Sequence, residues 1–162
     1  MAERWVINAS PVILLAKAGV LDLVPQICGE LVIPRSVVAE VAGGVLSDEG
    51  RAWISGNGAR FVIPSPPLSP ALKAADLGAG EAEVLAWALA NPGFLAVLDD
   101  RQGRNWAAKL GLPFTGSLGV VVMLKRRGLI QAARPAIEKI RSAGGYISEF
   151  AVNAALAAAG EV

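Results

Sequence analysis

GAGEAEVLAWALANPGFLAVLDDR, Gly78 to Arg101, is the stretch that decides the fold. Its first half places Val84, Leu85 and Ala88 at i+3, i+4 and i+7 from Glu81, the spacing of one buried helix stripe with the carboxylate at its end. Glu83 lies about two hundred degrees round the same helix and is expected to face water. Asn91-Pro92-Gly93 reads as a turn. Phe94-Leu95-Ala96-Val97-Leu98 then forms an unbroken apolar run, as expected of a strand buried on both faces in a parallel sheet covered by helices. The run stops at Asp99-Asp100-Arg101. Carboxylates there would stand in the crevice at the carboxyl ends of the strands, where open α/β sheets hold their chemistry.

The rest of the chain alternates in the same way. Trp5-Val6-Ile7, Leu31-Val32-Ile33 and Phe61-Val62-Ile63 read as strands, and Leu112-Pro113-Phe114-Thr115 as a short last one. Ser10-Pro11 looks like an N-cap with proline at the first helical position, leading through Val12 to Ala18 and stopping at Gly19. A short helical piece is expected from Leu21 to Cys28, and Pro34 opens a helix that carries Glu40 to Gly43-Gly44. Another short helix begins near Ser47 and runs around Trp53, while Pro64 to Pro70 is an extended connector. Further helices are expected over Gln102 to Leu110, Leu118 to Arg127 (capped by Gly116-Ser117), Arg134 to Ala143 and Ser148 to Ala159. This pattern predicts an α/β sandwich with a parallel sheet, one domain over residues 1–162, with the helices of 134–160 packed on it or at a dimer interface.

Composition narrows the chemistry. The 162 residues contain no histidine and one cysteine, Cys28. Ser-His-Asp and Cys-His nucleophiles, histidine acid/base catalysis, thiolate or imidazole zinc sites and an internal disulfide are therefore excluded. Catalysis would have to use carboxylates, hydroxyls, Lys or Arg, or a hard metal ion bound by oxygen. A net charge of +1 gives no long-range pull on nucleic acid, so any such contact must be a local basic patch. The 54% apolar content favours an oligomer or a bound protein partner, and no window is long and apolar enough to span a membrane. Met1-Ala2-Glu3-Arg4 does not begin a secretory signal, and the cytoplasm is the expected location.

Asn8, Asp99-Asp100 and Thr115 each follow an apolar strand and so can share one rim, with Glu40 and Glu81 on nearby helices. Each acid also has an ordinary structural role: Glu81 favours its helix dipole, Glu40 could be a solvated helix residue, and one of the Asp pair is expected to be an N-cap. Function follows only if they converge. Two carboxylates about 4 Å apart repel by roughly 4 kcal/mol at the effective dielectric of a protein surface. A cluster of them needs protons or a cation, and oxygen donors suit Mg²⁺ or Mn²⁺.

Together, VINASPVILLAKAG (Val6 to Gly19), IPRSVVAE (Ile33 to Glu40), LGAGEAEVL (Leu77 to Leu85), LDDRQGR (Leu98 to Arg104) and LPFTGSLGV (Leu112 to Val120) resemble the PIN-domain superfamily. The likeness is to its VapC-like branch of predicted nucleic-acid-binding proteins. It implies a three-layer α/β/α sandwich around a five-stranded parallel sheet, and an acidic pocket that binds Mg²⁺ or Mn²⁺ and hydrolyses RNA. It also implies a toxin, dimeric and neutralised by a small antitoxin. Carried over by position, the family's acids fall on Asn8, Glu40, Glu81 and Asp100; Asp99, next to Asp100, is a further candidate metal ligand that could compensate for Asn8. Ser10, Thr115 and Ser117 are supporting hydroxyls, and Arg101, Arg104 and Lys125-Arg126-Arg127 are candidate RNA contacts. Asn8 departs from the family pattern, because an amide lacks the charge that holds a divalent ion. The alternative implied is a catalytically impaired PIN-like module that binds RNA or a partner protein.

Other folds fit less well. A receiver-like phosphoacceptor wants its acidic pair after the first strand, where Asn8-Ala9 stands. A haloacid-type phosphatase wants two aspartates one residue apart, and Asp99 and Asp100 are adjacent. A dinucleotide-binding glycine motif belongs between the first strand and its helix, far from Gly78 and Gly80.

Overall fold

Each predicted apolar run contains a strand in the computed structural model, which describes residues 3–44, 48–144 and 147–162. The strands are β1 (Glu3–Ile7), β2 (Cys28–Pro34), β3 (Val62–Ile63), β4 (Phe94–Val97) and β5 (Phe114–Thr115). They form a five-stranded sheet in the order β3-β2-β1-β4-β5, with every neighbouring pair parallel. Register is fixed at the centre, where Val6 is paired with Val32 on one side and Ala96 on the other. Trp5, Val6 and Ile7 are wholly buried, which is why this run is continuously apolar rather than alternating. Chain order reverses between β1 and β4, so the switch-point crevice opens beyond Ile7 and Val97, where Asn8 and Asp99-Asp100 follow.

Helices cover both faces, completing a three-layer α/β/α sandwich. On one side, α5 (Ala79–Ala90) lies across β1, β2 and β4, with α2 (Arg35–Gly43), α4 (Pro70–Ala74) and α6 (Arg101–Lys109) against it. On the other, α1 (Ala9–Lys17) packs with α3 (Asp48–Ser55), α7 (Ser117–Arg126) and α8 (Arg134–Ser142), and α9 (Glu149–Ala158) rests on α7. Ile137 and Ile140 of α8 are fully buried in the same core as the sheet residues. At about 1.5–3 kcal/mol for each such side chain, they hold the C-terminal helices to the sandwich.

Several local expectations shift. The N-cap of α1 is Asn8, not Ser10: the helix starts straight from the strand, and Pro11 falls in its first turn. The piece after α1 is a 3-10 helix over Leu21–Gln26 with Pro25 inside it, since proline cannot donate to a continuing α-helix. The expected helix start at Ser47 lies outside the described residues, and α4 is an additional short helix capped by Ser69. Cys28 is buried, donates to the Val24 carbonyl at 3.3 Å, and has its thiol pushed up to about 12 by burial, which leaves it unreactive. The apolar surplus is mostly spent in the core: among the described residues, the exposed large hydrophobic side chains are Leu89, Phe150 and Val162. Among those residues, too, no helix is long and apolar enough to cross a membrane.

Some helices whose own N-caps lack an acceptor are capped from a distance. The N-cap of α8 is Ala133, and Glu161, at the far end of the chain, accepts from Ala133 N at 2.6 Å and Arg134 N at 3.1 Å while pairing with Lys125 at 3.3 Å. The Ala133 N–H in particular holds the Glu161 carboxyl below its ordinary value. Its contribution is therefore present at neutral pH and lost as pH falls through the depressed folded value. Glu161→Ala is expected to lower the thermal midpoint by about 3 °C at neutral pH, with the difference from wild type vanishing on acidification.

Candidate active site

The rim of the sheet holds two groups of polar side chains. In the first, Asp100 is the N-cap of α6, its Oδ2 accepting from Gln102 N at 3.1 Å and Gly103 N at 3.4 Å. Asp100 is also close enough for its charge to act on Glu81, at the start of α5. Glu40 comes in from α2, and its Oε1 accepts from Gly80 N at 2.8 Å. Glu40, Glu81 and Asp100, drawn from separate segments, thus meet at the N-termini of α5 and α6.

Glycines make the meeting possible. A Cβ on Gly80 would lie 2.9 Å from both Glu40 oxygens, and one on Gly103 would lie 2.5 Å from Glu81 Oε2. A Cβ on Gly78 would be 3.6 Å from Glu81 Oε1 and 3.8 Å from Glu40 Oε1. What approaches Gly80 so closely is the Glu40 carboxylate. The Gly103 contact carries no signal in the sequence, since its neighbour Glu81 is far away along the chain.

In the second group, Asp99 ties two helix starts together. It accepts from Ser10 Oγ at 3.1 Å, Ser117 N at 2.7 Å and Ser117 Oγ at 2.6 Å. The N-cap of α7 is Gly116, which has no side chain, so Asp99 is its remote cap. The adjacent aspartates therefore turn in different directions: Asp100 faces Glu81, and Asp99 faces the serines. Thr115 Oγ1 rests over the first turn of α7, where a Cβ on Gly119 would collide with it. Asn8 follows β1 as the N-cap of α1, 5% exposed, and among the described residues its Oδ1 accepts no hydrogen bond.

Crowding shows in the electrostatics. Glu81 Oε2 is buried without a partner among the described residues. Its carboxyl is pushed up from 4.5 to about 7, first by burial, then by the Asp100 charge and its hydrogen bond, with Glu40 adding to the repulsion. Because the folded value lies above the unfolded one, the native state binds the extra proton between them, and stability rises as pH falls through about 7. The thermal midpoint of ion-free protein is expected to climb as pH is lowered from about 8 to about 5.5, and Glu81→Gln to remove that slope. Divalent-ion affinity should move the opposite way, strengthening with pH as the proton leaves.

Oxygen donors, an orphaned carboxylate oxygen and mutual repulsion fit a hard cation. Among the described residues no three acids stand close enough to form a ready-made cage. Mg²⁺ does not require one, because it keeps several waters and uses one or two carboxylates.

Glu83 does not face water. It is 7% exposed, and its two oxygens accept from Ser36 N at 3.1 Å and Ser36 Oγ at 2.5 Å. The expectation fails because α5 is covered almost all round, by the sheet on one side and by α2, α4 and α6 on others. Arg101 and Arg104 are exposed on the first turn of α6, and the Arg104 guanidinium stands 5.2 Å over the Phe114 ring, already held in place. Lys125 and Arg126 are engaged otherwise: Lys125 with Glu161, and Arg126 with the Ala158 carbonyl at 3.0 Å. They also end a 10-residue helix that begins at the rim, about 15 Å away. Lys125 and Arg126 are thus engaged within the fold, a helix length from the acidic group.

A doubly wound parallel α/β sandwich with acids gathered at its switch point is the class that fold and site define. A family model described as a PIN domain matches residues 4–161, and the chain belongs to that family. No curated protein and no solved structure matches it. Family membership points to nuclease activity in general and to the use of divalent metal ions.

Proposed function

We propose that this protein is a Mg²⁺- or Mn²⁺-dependent endoribonuclease whose ion is held through waters and one or two of the neighbouring carboxylates Asp100, Glu81 and Glu40. The observation that carries the reading is Glu81, a half-buried carboxylate beside two others, with its buried Oε2 unpartnered among the described residues. The ion would supply the charge that lets these carboxylates ionise together and the Lewis acidity that phosphodiester hydrolysis needs. Without it, Glu81 keeps its proton below about pH 7. Asp99, with both oxygens accepting hydrogen bonds, orders Ser10 and Ser117 at the two helix starts rather than serving as a primary ligand. Thr115 lies beside Ser117 as a further hydroxyl, and Arg101 and Arg104 are placed to hold RNA phosphates at the rim. The decisive experiment incubates purified protein with structured and single-stranded RNA, with and without Mn²⁺. Cleavage no greater than that of Asp100→Ala would remove the enzyme reading.

The finer role follows from the resemblance of the quoted motifs to VapC-like proteins. In that role residues 1–162 act as one domain in a cytoplasmic homodimer, a toxin that a small antitoxin protein neutralises. Growth arrest on expression of the natural chain, and not of Asp100→Ala, is the expected sign. The second reading, an impaired PIN-like module that binds RNA or protein, is favoured by Asn8: an amide stands at the end of β1, where the resemblance puts an acid. Activity that appears only in Asn8→Asp would select it.

A further inference from the structure

Between α2 and α5 the carboxylates are exchanged. Glu83 of α5 accepts from the backbone and hydroxyl of Ser36 in the first turn of α2, and Glu40 of α2 accepts from Gly80 N in the first turn of α5. Neither helix can cap itself, because the N-caps are Pro34 and Gly78, without a side-chain acceptor. Ser36 and Glu40 are i,i+4 on α2, and Gly80 and Glu83 are i,i+3 on α5, so each pair shares a helix face. The contacts run in reverse order along the two helices, which makes a closed loop: Ser36 to Glu83, along α5 to Gly80, to Glu40, and back along α2. A buried carboxylate is tolerated only when its oxygens are satisfied, and both Glu83 oxygens are.

We propose that Glu83 is the positioning residue for Glu40, fixing the start of α2 so that Glu40 lands on Gly80 and beside Glu81. It touches neither ion nor substrate and acts through α2. Its relevance to cleavage rests on the function proposed above, but the clasp itself does not.

The test follows the Gly80 amide by NMR hydrogen exchange in Glu83→Ala, Ser36→Ala, Glu83→Gln, Glu40→Ala and the Glu83→Ala/Glu40→Ala double variant. Ser36→Ala is the milder change if Glu83→Ala folds poorly. Gly80 protection is expected to fall about tenfold in Glu83→Ala and Glu40→Ala, and no further in the double variant, while Leu85 in the middle of α5 keeps its protection. Glu83→Gln, which still accepts from Ser36 N, should stay within about threefold of wild type. Mn²⁺ affinity should weaken about tenfold in Glu83→Ala but not further in the Glu40→Ala background. Unchanged Gly80 protection in Glu83→Ala and Ser36→Ala, or a loss shared equally by Leu85, overturns the proposal. If the natural chain binds no Mn²⁺, the nuclease reading falls, and Gly80 still decides the clasp.

Discussion

Gly103→Ala is expected to cut Mn²⁺-dependent RNA cleavage roughly 100-fold while leaving the fold intact or slightly more stable. The added methyl would sit 2.5 Å from Glu81 Oε2 and at an ordinary 3.7 Å from Leu98 Cδ1, so the carboxylate is what must give way. Glu81 can do so, because its side chain ends in rotatable bonds while the helix backbone cannot move. Exchanging glycine for alanine inside a helix adds about 0.5–1 kcal/mol, and moving Glu81 aside also relieves its repulsion with Asp100. Stability and activity therefore change in opposite directions, which separates a site effect from misfolding. Thermal unfolding, Mn²⁺ titration and RNA cleavage of the same preparation make the comparison. A Gly103→Ala protein that binds Mn²⁺ and cleaves like wild type would show that Glu81 takes no part.

What the sequence revealed and what it hid divide along one line, the distance between interacting residues. β1 and β4 were legible because Trp5-Val6-Ile7 and Phe94-Leu95-Ala96-Val97-Leu98 carry their burial in their own composition. So was the rim, since Asn8, Asp99-Asp100 and Thr115 follow those runs directly. Caps were legible only when local, as with Asp100 for α6 and Ser148 for α9, which accept from amides two or three residues on, and even the local cap Ser69 was missed along with the short helix α4 that it starts. Asp99 to Ser117, Glu83 to Ser36, Glu40 to Gly80 and Glu161 to Ala133 join separate elements, and no spacing announces them. Ser10 was misplaced as a cap for the same reason, its partner Asp99 lying 89 residues away. Glu83 was misjudged because a helical wheel assumes one wet face, whereas α5 has packing on most sides. Of these, the contacts of Asp99 with Ser117 and Ser10 hold it toward the serines while its neighbour Asp100 caps α6 beside Glu81.

Asn8→Asp is expected to make the ion-free protein markedly less stable and the Mn²⁺-loaded protein more active. The amide lies 5% exposed at the end of β1, with Oδ1 unpartnered among the described residues. An aspartate there would bury a further charge on a rim whose crowding already pushes the Glu81 carboxyl up to about 7, at an effective cost of several kcal/mol. It would avoid that cost by taking up a proton, so its folded pKa would be raised and the destabilisation would be greatest above neutral pH and fade on acidification. A divalent ion would reverse the sign by providing the missing counter-charge. Mn²⁺ should therefore raise the thermal midpoint of Asn8→Asp more than that of the natural chain, because an ion bound more tightly by the native state stabilises it more. Comparing the two proteins at about pH 8, with and without Mn²⁺, reads both effects in one experiment. If cleavage rises while the natural chain is already active, Asn8 moderates an enzyme; if only the variant cleaves, the natural protein is a binder. If Asn8→Asp is as stable as the natural chain without metal and gains nothing from Mn²⁺, the end of β1 does not face the ion, and the site consists of Glu40, Glu81 and Asp100 alone.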